Sequence, residues 1–140
     1  MKRNNSIIYQ EVDNEFKVEV QPFFVPERSI PAKKIYFYAY SITITNMWFE
    51  PCQLLKRHWI IKCGSGKPEQ IEGEGVVGKQ PRISPGESFK YASFCPLKTP
   101  YGNMRGRYQM ISHSKQFFWV KVPLFFFRPP SIDKNNAKTI

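Results

Sequence analysis

Gly73, Gly75 and Gly78 have the spacing of a dinucleotide-binding fingerprint, in which backbone amides and a helix N-terminus hold a pyrophosphate. That chemistry needs a strand running into the glycines and a helix leaving them. Here Pro81 and Pro85 follow, no helical period does, and Glu74 sets a carboxylate where the phosphate would lie. The Rossmann reading is therefore excluded. Two readings stay open. Glycine amides can form a concave nest for an anion, with Lys79 and Arg82 close by in sequence. Alternatively, the glycines serve a turn that needs positive φ.

Other residue sets are weaker. His58 lies six residues after Cys52 and five before Cys63, unlike zinc fingers or ribbons. No Asp occurs between residues 15 and 127, so a hard cation would have to use Glu72, Glu74 or Glu87. Neither a metal nor a cofactor is expected. The imidazoles are His58 and His113, and neither sits in a recognised nucleophile signature. His113 falls in an expected hairpin turn with Ser112, Ser114 and Lys115. An enzyme is not expected; the least favoured of the three readings is an enzyme acting on phosphate-containing small molecules. Arg57 shares a strand face with Leu55, Trp59, Ile61 and Cys63. An inward Arg needs a partner, which Glu72 or Glu74 could supply; otherwise it lies at the sheet end with its head in water.

The last hairpin offers a surface. With Met104, Tyr108 and Met110 facing the core, Arg105, Arg107 and Gln109 face outward. With Phe118, Val120 and Val122 facing the core, Trp119 and Lys121 face outward too. Arg105, Arg107, Trp119 and Lys121 would then form either a platform for polyanions or an ordinary solvated sheet face. A one-residue slip in hairpin register would turn Trp119 inward.

The elements that must position these residues have a period of two. Phe16, Val18 and Val20 alternate with Lys17, Glu19 and Gln21. Ile35 to Thr45 alternates throughout, and Gln53 to Cys63 is closed by Gly64-Ser65-Gly66. Short runs follow around Gln80–Ile83, Phe89–Ser93, Met104–Met110 and Phe118–Val122. About seven strands punctuated by Gly and Pro, with no capped helical window, predict an all-β antiparallel sandwich. Residues 1–14 and 128–140 are polar and without a clear period. The domain is placed at 10–134, with 1–9 and 135–140 as flexible termini.

A chain of 140 residues suits one domain. Folding should bury about 68% of its extended surface, enough for a core without a staple. Twelve Phe, seven Tyr and three Trp exclude a wholly disordered chain. Twenty-one Lys and Arg against eleven Asp and Glu give a net charge of +10, which makes anionic partners plausible. The basic start breaks at Gln10-Glu11 before a signal-peptide core forms, and the run Val122–Phe127 is too short to span a bilayer. A cytoplasmic protein is expected, with Cys52, Cys63 and Cys95 as thiols rather than disulfides.

Several stretches are specific enough to compare with a family. They are Tyr38-Ala39-Tyr40 leading to Ile44-Thr45-Asn46, then Gln53–Ile61, Gly73–Pro81, Pro85–Tyr91 and Thr99–Met110. In this order and spacing they closely resemble the bacterial ApaG family, from about Phe16 to Phe127. The resemblance implies a fibronectin type III-like sandwich. Related domains in some F-box proteins and in a polymerase-delta-interacting protein look like protein-interaction modules. In bacteria the gene often neighbours a diadenosine tetraphosphatase and an rRNA dimethyltransferase, and the family is linked to cobalt resistance and magnesium efflux. Asn46-Met47-Trp48 stands where many members have a turn glycine, and Trp119 and Lys121 stand where members are often acidic.

The expectation is a non-enzymatic binding module that works through a protein partner, with a link to cobalt or magnesium homeostasis. The alternative is an anion, nucleotide or nucleic-acid binder. It would use the Gly73–Gly78 loop with Lys79 and Arg82, or the basic hairpin face.

Overall fold

The structure is a computed structural model and describes residues 7–64 and 66–130. Nine strands run in chain order: β1 (Tyr9–Asp13), β2 (Phe16–Phe24), β3 (Tyr36–Asn46), β4 (Cys52–Cys63) and β5 (Glu69–Glu74), then β6 (Arg82–Ile83), β7 (Ser88–Leu97), β8 (Gly102–Ser112) and β9 (Phe117–Phe127). Two single-turn 3-10 helices, Pro26–Arg28 and Pro31–Lys33, join β2 to β3. One sheet has the order β1-β2-β3-β7; the other has β5-β4-β8-β9, with β6 also on β4. Each pairing is antiparallel. This is the expected fibronectin type III-like sandwich.

Alternation explains why the sheets stack. Phe16, Val18 and Val20 on β2 face inward with Tyr38, Tyr40, Ile42 and Ile44 on β3 and with Tyr91 and Cys95 on β7. Opposite them lie Leu54 and Trp59 on β4, Met104, Tyr108 and Met110 on β8, and Val120, Val122, Phe125 and Phe127 on β9. Aromatic rings bridge the layers: Tyr38 and Phe127 have centroids 4.8 Å apart, and Tyr40 and Phe125 5.8 Å. Two buried hydroxyls satisfy each other across the core, Tyr91 to Tyr108 at 2.6 Å. Burying such groups without a partner would cost free energy.

Nine strands exceed the expected seven because β1 and β5 carry weak patterns. β1 reads Tyr-Gln-Glu-Val-Asp and buries none of its residues fully; Tyr9 meets Phe125 at 6.2 Å. β5 exposes Glu69, Gln70, Glu72 and Glu74 and turns only Ile71 onto the core. Its end takes in Gly73 and Glu74, so the expected Gly73–Gly78 loop is strand at its first two residues. The expected domain start, residue 10, falls one residue inside β1. Residues 1–6 and 131–140, including most of the expected flexible termini, lie outside the described residues.

β4 also breaks its own alternation. Its register against β8 shifts between Leu54 and Lys56, so Leu55 is an extra, bulged residue. Leu54 therefore enters the core where strict alternation from Trp59 would place Leu55. The bulge puts Cys52 and His58 on opposite faces, whereas a regular strand would have put them on one.

The turn after β3 is held by Asn46. Its buried amide nitrogen donates to the carbonyls of Glu50 (2.8 Å) and Ile83 (2.9 Å), and its Oδ1 accepts from the Trp48 amide at 2.7 Å. One side chain thus ties the β3–β4 connection to β6.

Candidate functional site

The glycine segment is a strand end followed by a tight turn. Val76 and Lys79 exchange both backbone hydrogen bonds, 2.8 and 2.9 Å, around Val77 and Gly78, which both have positive φ. The Gly75 amide donates to the Leu55 carbonyl. Gly75 has φ +65°, and a Cβ there would collide with the Lys79 carbonyl. The amides of Gly75, Val76 and Lys79 are therefore spent inside the fold. Lys79 is exposed, and Arg82 turns away to His113, its Nη2 3.0 Å from Nδ1. The residues named for an anion nest are not brought together around one point by these bonds.

Gly73 has a different role. It lies opposite Arg57 in the β4–β5 register. A Cβ on Gly73 would sit 2.7–2.9 Å from Nη1, Nη2 and Cζ of Arg57, so the guanidinium rests on the bare glycine backbone. Arg57 then donates from Nη1 to the carbonyls of Glu74 (3.1 Å) and Gly75 (3.0 Å). The partner of this arginine is thus backbone, not the carboxylate of Glu72 or Glu74.

The Arg57 head borders a cavity of about 200 Å³ between the sheets, lined also by Tyr40, Trp59, Tyr91, Ser93 and the Val76–Gly78 turn. Burial pushes the Tyr40 hydroxyl up to about 12, opposed by a hydrogen bond from Ser93 and by the Arg57 charge. Tyr91 and Tyr108 are raised further by burial, and Arg57 again favours their ionised forms. The cavity was not foreseen from sequence. Its residues come from β3, β4, β7 and the turn, with no local spacing to mark them.

On the opposite side of β4 lies the outer face of the second sheet. Register places Arg107 across from Lys121, and Gln109 across from Trp119. Arg105, Arg107 and Lys121 are exposed and Trp119 is half-buried. The Arg107 guanidinium sits over the Trp119 ring, 3.9 Å from its centroid. Arg105, Arg107, Trp119 and Lys121 therefore project from one face, and none of the three cations has a carboxylate partner among the described residues. The row continues from Arg107 to His58 and then to Glu72. His58 Nε2 lies 3.0 Å from Gln70 and 3.8 Å from Glu72. The face runs from acidic at β5 to basic at β9.

The free edge of β9 is closed by the β1–β2 turn. Asp13 accepts from the Lys121 amide at 2.8 Å, and Asn14 donates to the Trp119 carbonyl at 2.7 Å. This clamps the strand that carries the indole and lysine, and it blunts an edge that could otherwise pair with another chain.

The remaining candidates form no catalytic array among the described residues. Cys52 and Cys95 are buried and Cys63 half-buried, with no disulfide. Burial pushes the Cys52 thiol up to about 11 and the Cys95 thiol up to about 12, away from thiolate chemistry. Glu50 accepts from the Ser114 amide and hydroxyl, each at 3.0 Å, which holds its carboxyl below the ordinary range and ties the β8–β9 turn. No group of three or more His, Cys, Asp and Glu among the described residues could hold a metal ion. No described helix is long and apolar enough to cross a membrane.

Comparison with known proteins places this architecture in a family. The family model described as the ApaG domain matches residues 26–112. The chain is 46% identical to Protein ApaG of Bradyrhizobium diazoefficiens over 123 residues, covering 88% of this chain and 95% of that protein. It is 45% identical to Protein ApaG of Bdellovibrio bacteriovorus over 116 residues, covering 83% and 91%. The crystal structure of the putative ApaA protein from Bordetella pertussis superimposes with a TM-score of 0.81 at 41% identity, covering 86% of this chain and 99% of that one. The family match spans the glycine segment, Arg57 and the β8 cations, so the chain belongs to the ApaG domain family.

Proposed function

We propose that this ApaG-type domain is a non-catalytic binding module that docks an acidic segment of a protein partner on the outer face of the β5-β4-β8-β9 sheet. The observation that carries this reading is the set of three carboxylate-free cations, Arg105, Arg107 and Lys121, held with Trp119 on a clamped strand pair. Rigid strands hold the charges at fixed spacing, so little ordering entropy is lost on docking. The Arg107–Trp119 stack presents a planar guanidinium suited to carboxylates. It also occupies one face of the indole, which favours acidic side chains over stacked bases as the ligand. Any link to cobalt or magnesium homeostasis would run through such a partner. Titration of a labelled polyglutamate peptide tests the reading. Binding should weaken steeply with salt and fall at least about fivefold in an Arg105→Gln/Arg107→Gln variant. Equal affinity of the variant would remove the face from the account.

A further inference from the structure

We infer that the cavity beneath the Val76–Gly78 turn is a binding site for a single carboxylate group, read by Arg57, Tyr40 and Ser93. It lies on the other side of β4 from the basic sheet face and does not depend on the reading above. The argument starts from the donors of Arg57. Nη1 has two N–H groups, and both go to backbone, on Glu74 and Gly75. The Nε–Nη2 edge makes no hydrogen bond to a described residue. That edge is the fork that matches a carboxylate through two parallel hydrogen bonds. The two carbonyls and the bare floor of Gly73 fix the guanidinium plane, so the fork is held before any ligand arrives.

The lining agrees with this chemistry. Tyr40 and Ser93 are hydrogen-bonded to each other and leave one hydroxyl proton to donate into the cavity, while Trp59, Val76 and Val77 supply apolar wall. At about 200 Å³ the cavity is smaller than the roughly 300 Å³ at which drug-sized pockets begin. It therefore suits a carboxylate on a small apolar body. One cation flanked by two carbonyl oxygens favours a monoanion over a phosphate dianion, whose second charge would have no partner. Two sources share this chemistry: a free small carboxylic acid and the C-terminus of a peptide.

The test is an NMR titration of the isotopically labelled full chain with four probes. They are benzoate, inorganic phosphate, and N-acetylated glycyl-glycyl-phenylalanine with either a free or an amidated C-terminus. Benzoate or the free-acid peptide should shift the Arg57 Nε–H signal and the amides of Gly73, Val76, Val77 and Ser93, saturating in about the millimolar range. Tighter binding of one of the two assigns the source. The amidated peptide should not shift these signals. Arg57→Lys keeps the charge but loses the fork, and should weaken binding about tenfold or more. Because Arg57 also ties the turn, Ser93→Phe provides a second variant that fills the cavity and leaves those ties intact; it should abolish the shifts. Absence of saturable shifts with both carboxylates would overturn the inference. So would unchanged binding in Ser93→Phe, or phosphate binding more tightly than either carboxylate.

Discussion

Asn46 and Trp119 show how much one side chain can decide here. Asn46 is fully buried and makes three hydrogen bonds, each to backbone. Asn46→Ala would leave two carbonyls and the Trp48 amide without their partner in a place that water reaches poorly. A loss of about 2–3 kcal/mol is expected by urea denaturation, with an unchanged m-value. A loss below about 0.5 kcal/mol, the ordinary range for surface changes, would mean the turn holds without it. Trp119 is the opposite case. Its ring lies outward under Arg107, so Trp119→Ala should lower stability by only about 0.5–1 kcal/mol, the range for an exposed cation–π pair. A sharp fall in melting temperature together with unchanged polyanion binding would place the indole in the core.

At the scale of elements, the glycine segment separates two kinds of need. Gly75→Ala meets both a positive φ and the Lys79 carbonyl, so it should destabilise the fold by more than about 1 kcal/mol. Gly73→Ala meets only the head of a long side chain and should move the Arg57 guanidinium while the sandwich stays folded. Equal stability losses in the two variants, measured by the same thermal melt, would contradict this division. The basic face was legible in the sequence because two independent alternations, on β8 and β9, agreed; the register pairs Arg107 with Lys121 and Gln109 with Trp119, and shifts between Met104 and Gly106, at Arg105. The sandwich was legible for the same reason. The bulge at Leu55 was not, since Leu54 and Leu55 are identical and either could be the inward residue. Strands β1 and β5 escaped notice because an edge strand needs only one inward row, and Tyr9 and Ile71 make short rows. The setting of Arg57 was hidden because its partners are carbonyls, which every residue carries.

At the scale of the whole molecule, the protonation of buried groups sets an alkaline limit. The Cys52, Cys95 and Tyr40 protons are held up to about 11, 12 and 12, against ordinary values of 9.0 for thiols and 10.0 for tyrosine. The folded chain keeps protons that the unfolded chain releases. Stability from these groups is therefore complete below about pH 9 and is lost as pH rises towards 12. Thermal melts should be level from about pH 7 to 9 and fall above it; a rise above pH 9 would contradict the burial of these groups. The net charge of +10 acts at the same scale, drawing acidic surfaces from a distance, while the outer sheet face supplies the fixed contacts.

The most direct test of that central claim is capture of a partner from the native cell extract after nuclease digestion, by the unaltered chain and by Arg105→Gln/Arg107→Gln side by side, at low and high salt. The account predicts that an acidic protein is retained by the unaltered chain at low salt, released at high salt, and not retained by the variant. Loss of all retained material on nuclease treatment, or equal retention by the two chains, would contradict it.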